Sequence, residues 1–64
     1  MKYLWYEVED FEQVYMEAEL FIDIGSKIVK GNYCRGVYES KEFGGWIPSE
    51  KVVRVSFVEV HHER

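Results

Sequence analysis

Residues 33–52 read YCRGVYESKEFGGWIPSEKV. This stretch holds three of the chain's five glycines, its one proline, its one cysteine and one of its two tryptophans. It reads as a strand over 33–38, a polar, glycine-ended loop over 39–45, and a second extended segment at Trp46-Ile47. Pro48 has no N–H to donate and biases Ile47 toward extended backbone. Pro48-Ser49-Glu50 therefore predicts a bend or one turn of tight helix. Downstream, residues 51–60 carry Val52, Val53, Val55, Phe57, Val58 and Val60. All are β-branched or aromatic, so the chain's strongest strand is expected there. Residues 61–64 read as a polar tail.

Upstream, Gly25-Ser26 is a turn signal, residues 27–30 a short strand, and Gly31-Asn32 a second turn or bulge. Residues 2–8 are rich in strand formers and read as a first strand. Residues 11–24 admit two readings. At helical period, Phe11, Val14, Tyr15, Ala18, Phe21 and Ile22 share a face, and Asp10 with Gln13 resembles a capping box. At period two, Val14, Met16, Ala18, Leu20, Ile22 and Ile24 share a face, with Glu17, Glu19 and Asp23 opposite. The second pattern leaves fewer apolar residues unexplained, so a strand over 14–24 is expected. A helix at about 11–22 packed on an antiparallel sheet is the alternative. The expected fold is all-β: a small antiparallel barrel or curled sheet of five or six strands. Closure would also shield the edges of the valine-rich last strand.

A chain of 64 residues is one domain with a small core. Its 47% hydrophobic content argues for a folded chain, and the 17% aromatic fraction offsets the small size, since each ring buries about 150–250 Å². Oligomerisation would help a chain this short. Cys34 stands alone, which excludes an intrachain disulfide and a cysteine-built zinc site. It is expected as a small buried or half-buried thiol in a reducing compartment. No basic-then-apolar leader opens the chain and no apolar run would span a bilayer, which predicts a soluble, cytoplasmic protein.

Charge is unevenly placed. Residues 1–26 carry −6 and residues 27–64 carry +2. Between Tyr3 and Ser26 the acids are Glu7, Glu9, Asp10, Glu12, Glu17, Glu19 and Asp23, with no Lys or Arg among them. A nucleic-acid binder carries a basic surplus, which this chain lacks. The acidic half suits a basic surface on a protein partner, or serves as a solvated face that keeps the chain soluble.

Arg35-Gly36, a loop, then Gly45-Trp46-Ile47-Pro48-Ser49 and Val52 resemble the second half of a Src-homology-3 domain. Glu19-Leu20-Phe21 before Gly25 is similar to that family's glutamate-leucine-x-phenylalanine segment, and Tyr3-Leu4-Trp5-Tyr6 to its first aromatic strand. The resemblance implies a small β-barrel. Tyr33-Cys34 stands where the family has two tryptophans, and Lys51 where it has a tyrosine. Those aromatics line the family's polyproline groove, so the resemblance points to the barrel more than to polyproline binding. Short, acidic, tryptophan-bearing all-β chains also resemble accessory proteins of bacteriophages and other mobile elements, which occupy surfaces of host proteins.

Chemistry is sparse. His61-His62 with Glu63 or Glu59 fails as a metal site, because adjacent strand residues point to opposite faces. Cys34 has no neighbouring base, Ser49 reads as a turn residue, and Gly44-Gly45 precedes no helix that would cradle a phosphate. No catalytic residue, metal ligand or cofactor is expected. The expected function is a non-catalytic protein-interaction module that inhibits or redirects a host protein. Its expected contact residues are the seven acids above together with Tyr38, Phe43 and Trp46 as rim aromatics. A homo-oligomer joined through the edge of strand 51–60 is the second reading. A nucleic-acid-binding barrel using Lys27, Lys30, Arg35, Lys51 and Arg54 with Tyr33 and Trp46 is the third.

Overall fold

A computed structural model of the chain describes residues 3–58. The elements in order are β1 (Tyr6–Glu7), α1 (Val8–Val14), β2 (Glu17–Asp23), β3 (Ile28–Cys34), β4 (Val37–Ser40), β5 (Gly45–Ile47), a 3-10 turn (Ser49–Lys51) and β6 (Arg54–Phe57). The six strands form one antiparallel sheet in the order β1-β6-β2-β3-β4-β5. The fold is all-β with one short helix. β1 and β5 end the sheet without pairing to each other, so it stays open.

Alternation along β2 sets the inside and the outside. Leu20 and Ile22 are fully buried, Ala18 is half-buried, and Glu17 and Glu19 are exposed. The expected period therefore holds from Ala18 onward. It fails at Val14 and Met16, which are 70% and 65% exposed because the chain is helical up to Val14. Ile22 lies opposite Val29 on one side and Val55 on the other, giving an apolar row across three strands. β6 sits between β1 and β2. Arg54 and Val55 are paired on both sides, to β1 and to β2. Val60 and the 61–64 tail lie outside the described residues.

α1 packs on the inner face chiefly through Phe11, with Val8 partly buried against the core. Phe11 is fully buried, with ring centroids 5.0 Å from Tyr33 and 5.8 Å from Phe57. Tyr15 stacks on Phe11 at 5.4 Å and meets Phe57 edge-on at 4.9 Å. Glu9 and Asp10 in the first turn complement the positive end of the helix. The Tyr15 N–H bonds to the Phe11 carbonyl at 3.0 Å, and Tyr15 is already extended. The helix begins at Val8, earlier than either reading of the sequence, and takes over the end of the expected first strand.

Two glycines correct the expected strand limits. Gly31 is no turn residue; it lies inside β3, buried on the inner face between Val29 and Tyr33. A Cβ there would collide with the Glu39 carbonyl oxygen and come within 2.9 Å of the Ser40 Cβ. β4 presses onto β3 at this point, and only glycine leaves room. Gly36, with Arg35, forms a two-residue hairpin turn inside what reads as one strand over 33–38. Their φ angles are 92° and 46°, and positive φ at both central positions matches the twist of the flanking strands.

Gly31→Ala is expected to lose about 3 kcal/mol of stability, because backbone stands in the way of the added methyl. Asn32→Ala, one residue along on the exposed face, should change stability by less than about 0.5 kcal/mol. Urea denaturation of the two variants checks the contrast.

Candidate functional site

The outer face of the sheet has a covered end and an open end. At the covered end, residues 3–5 lie over β2 and β6. The Leu4 N–H donates to Ser56 Oγ at 3.0 Å, and the Tyr3 ring meets Phe21 edge-on at 5.2 Å. The Arg54 guanidinium sits 4.3 Å from the centre of the Trp5 ring, and its Nε donates to Asp23 Oδ2 at 2.9 Å. Asp23 Oδ1 also accepts the Gly25 N–H at 2.8 Å, closing the turn after β2. These bonds, the Gly25 one first, hold the Asp23 carboxyl below its ordinary value.

At the open end, the strand register aligns Glu19, Asn32, Glu39 and Trp46 in one row across β2, β3, β4 and β5. A parallel row holds Glu17, Cys34 and Val37. Cys34 is exposed rather than buried, 3.9 Å from Glu17 Oε2. Trp46 is 76% exposed. A groove of about 690 Å³ runs beside the first row, lined by Glu19, Lys30, Asn32, Glu39 and Glu42 among others. Its floor is fixed where β4 leaves the ladder. Ser40 Oγ donates to the Lys30 carbonyl at 2.7 Å and accepts the N–H groups of Glu42 and Phe43 at 3.1 and 3.2 Å. The Lys30 N–H goes to Glu42 Oε1 at 3.0 Å. Side chains thus replace the missing backbone partner of Lys30, as buried peptide groups require. Lys30 Nζ lies 3.9 Å from Glu19 Oε2 with both side chains about half exposed (51% and 54%), a weak contact.

The expected acidic surface is divided. Glu7 lies in β1 directly across from Arg54, while Glu9, Asp10 and Glu12 belong to α1, which packs on the inner side of the sheet. Glu17 and Glu19 project from the outer face, and Asp23 is occupied by its turn and by Arg54. The rim aromatics divide too. Tyr38 is only 1% exposed and belongs to the core, so it leaves the rim. Its hydroxyl donates to Glu12 Oε2 at 2.8 Å, and burial first, then this carboxylate, push the phenol upward. Phe43 is half-buried against the core. Trp46 alone of the three stands free.

Glu39 and Glu42 escaped sequence reasoning, as did the pairing of Glu39 with Trp46. The signal lay in the length of the turn at 41–44, which puts Ser40 opposite Gly45 and hence Glu39 opposite Trp46. The five bases weighed for nucleic acid are scattered. Lys27 and Arg35 flank opposite ends of β3, Lys51 is in the 3-10 turn, and Lys30 and Arg54 each face a carboxylate. Tyr33 points into the core. Among the described residues no group of three or more His, Cys, Asp or Glu is placed to hold a metal ion. No helix among them is long and apolar enough to cross a membrane. No protein-family model, curated protein or solved structure matches the chain.

Because the folded Asp23 pKa lies below its unfolded value, its stabilisation is complete above about pH 4 and is lost as pH falls through the folded value. Asp23→Asn is expected to cost about 1 kcal/mol at neutral pH. The difference from wild type should vanish in strong acid. Denaturation midpoints measured across the acid range test this.

Proposed function

We propose that the chain is a non-catalytic protein-binding module whose contact face is the open end of the outer sheet surface, and that its partner presents a basic surface. The observation that supports this most is Trp46. It is the most exposed large hydrophobic side chain among the described residues, and it sits directly across from a carboxylate. Tryptophan dominates the energetics of protein interfaces when it becomes buried. Glu39 lies directly across from Trp46, and Glu19, Glu39 and Glu42 outnumber Lys30 and Lys41 along the adjoining groove, a balance that favours a cationic partner and speeds the encounter. The finer reading is that the carboxylates occupy a surface on which the partner would otherwise hold nucleic acid, as an inhibitor from a mobile element would do.

Capture of the partner by immobilised protein, washed at low and at high salt, tests the face. Trp46→Ala should weaken capture about thirtyfold, in the range of an interface hot spot. Glu19→Lys with Glu39→Lys should abolish it, while Glu9→Lys with Asp10→Lys on α1 should leave it near wild type. Undiminished capture by Trp46→Ala would overturn the reading.

A further inference from the structure

The same outer face already contains a finished example of what a tryptophan and a carboxylate hold there. At the covered end, the Arg54 guanidinium lies 4.3 Å from the Trp5 ring centre while its Nε bonds to Asp23 at 2.9 Å. At the open end, Trp46 and Glu39 are direct cross-strand partners, a placement that brings their Cβ atoms to about 4.5–5.5 Å. Among the described residues, however, no cation lies over the Trp46 ring and none forms an ion pair with Glu39. Two of the three components stand there without the third. The space beside Gly44 and Gly45 is open, so nothing along that border blocks an incoming side chain.

We propose that Trp46 and Glu39 form a receptor for an arginine side chain of the protein partner, with the guanidinium stacked on the indole and bonded to the carboxylate. Arginine fits better than lysine. Its planar, weakly hydrated group stacks on an aromatic face while its N–H fork still reaches a carboxylate; an ammonium is a compact, strongly hydrated charge. This inference rests on the proposed interaction face and names the chemistry that the face selects.

The probes are three short, otherwise neutral peptides that differ at one position: arginine, lysine or the uncharged isostere citrulline. Binding is followed by amide and indole chemical shifts of the whole protein. The arginine peptide should shift the Trp46 indole and the β4–β5 amides in a saturable way. The lysine peptide should bind about threefold to tenfold more weakly and the citrulline peptide not measurably, in keeping with one exposed cation–π contact plus one surface ion pair. Trp46→Ala and Glu39→Gln should each remove the preference for arginine. Both positions are exposed, so these variants fold, and their amide spectra verify it. Equal binding of the arginine and lysine peptides, or an arginine preference that survives both substitutions, overturns the proposal. If partner capture depends on Trp46 while the arginine peptide does not bind, the arginine receptor fails and the interaction face stands. If capture ignores Trp46, the face itself fails.

Discussion

Phe11 closes the inner side of a sheet that does not close on itself. An open six-stranded sheet in a chain of this length leaves one face needing cover, and a helix of seven residues supplies part of it, chiefly through one ring, with Val8 and Val52 beside it. Burial of a phenylalanine side chain contributes about 1.5–3 kcal/mol. Each well-oriented ring pair adds about 0.5–1.5 kcal/mol, and Phe11 makes contacts of this kind with Tyr33, Tyr15 and Phe57. Aromatic contact then continues from Tyr33 to Tyr38, whose hydroxyl returns to Glu12 on the helix. Helix and sheet are tied at both ends of that chain. The inner face is thereby used up, and whatever the molecule recognises through its sheet must be met on the other side.

The outer side is itself only half available. The segment before β1 folds over β2 and β6, where Trp5, Arg54 and Asp23 satisfy one another. The remaining surface lies over β3, β4 and β5, at the far end of the strand order from β1. Its groove exists because β4 leaves the ladder beside Lys30, and Ser40 and Glu42 supply the bonds that a neighbouring backbone would have made. Beside that point Gly31 lets β4 approach β3 closely, since a side chain there would meet the Glu39 carbonyl. Core packing and the groove therefore meet where the β3–β4 pairing ends.

Much of this was legible in the residues, and the failures have separable reasons. The period-two face of Ala18, Leu20 and Ile22, the turn at Gly25 and the tight turn after Pro48 depend on local chemistry and read directly. α1 lies earlier than the sequence reads because two turns contain too few residues to show a helical period, and because Val14 fits either pattern. Gly31 was read as a turn because sequence does not distinguish a glycine needed for backbone angle from one needed for clearance. The acidic stretch from Glu7 to Asp23 reads as one surface, although α1 lies against the inner side of the sheet while Glu17 and Glu19 project from the outer face of β2. Linear charge density carries no information about that division. Trp46 was recognisable as a candidate, but its companion Glu39 required the register of β4 against β5.

β5 keeps the core and the exposed outer surface apart within three residues. Ile47 points inward and is 4% exposed, while Trp46 points outward and is 76% exposed. A substitution at Trp46 therefore removes a contact surface without opening the core. The strand is also an edge, which invites indiscriminate pairing with other chains. Its shortness limits that risk, and Pro48 directly after it donates no backbone bond. So short an edge would give the proposed partner little backbone to hold, and selectivity would come from side chains. An exposed tryptophan alone would accept almost any apolar surface. In the proposed interaction the Glu39 carboxylate across from it would penalise acidic and purely apolar partners by repulsion or by uncompensated desolvation, and so convert a generally adhesive ring into one that selects for positive charge.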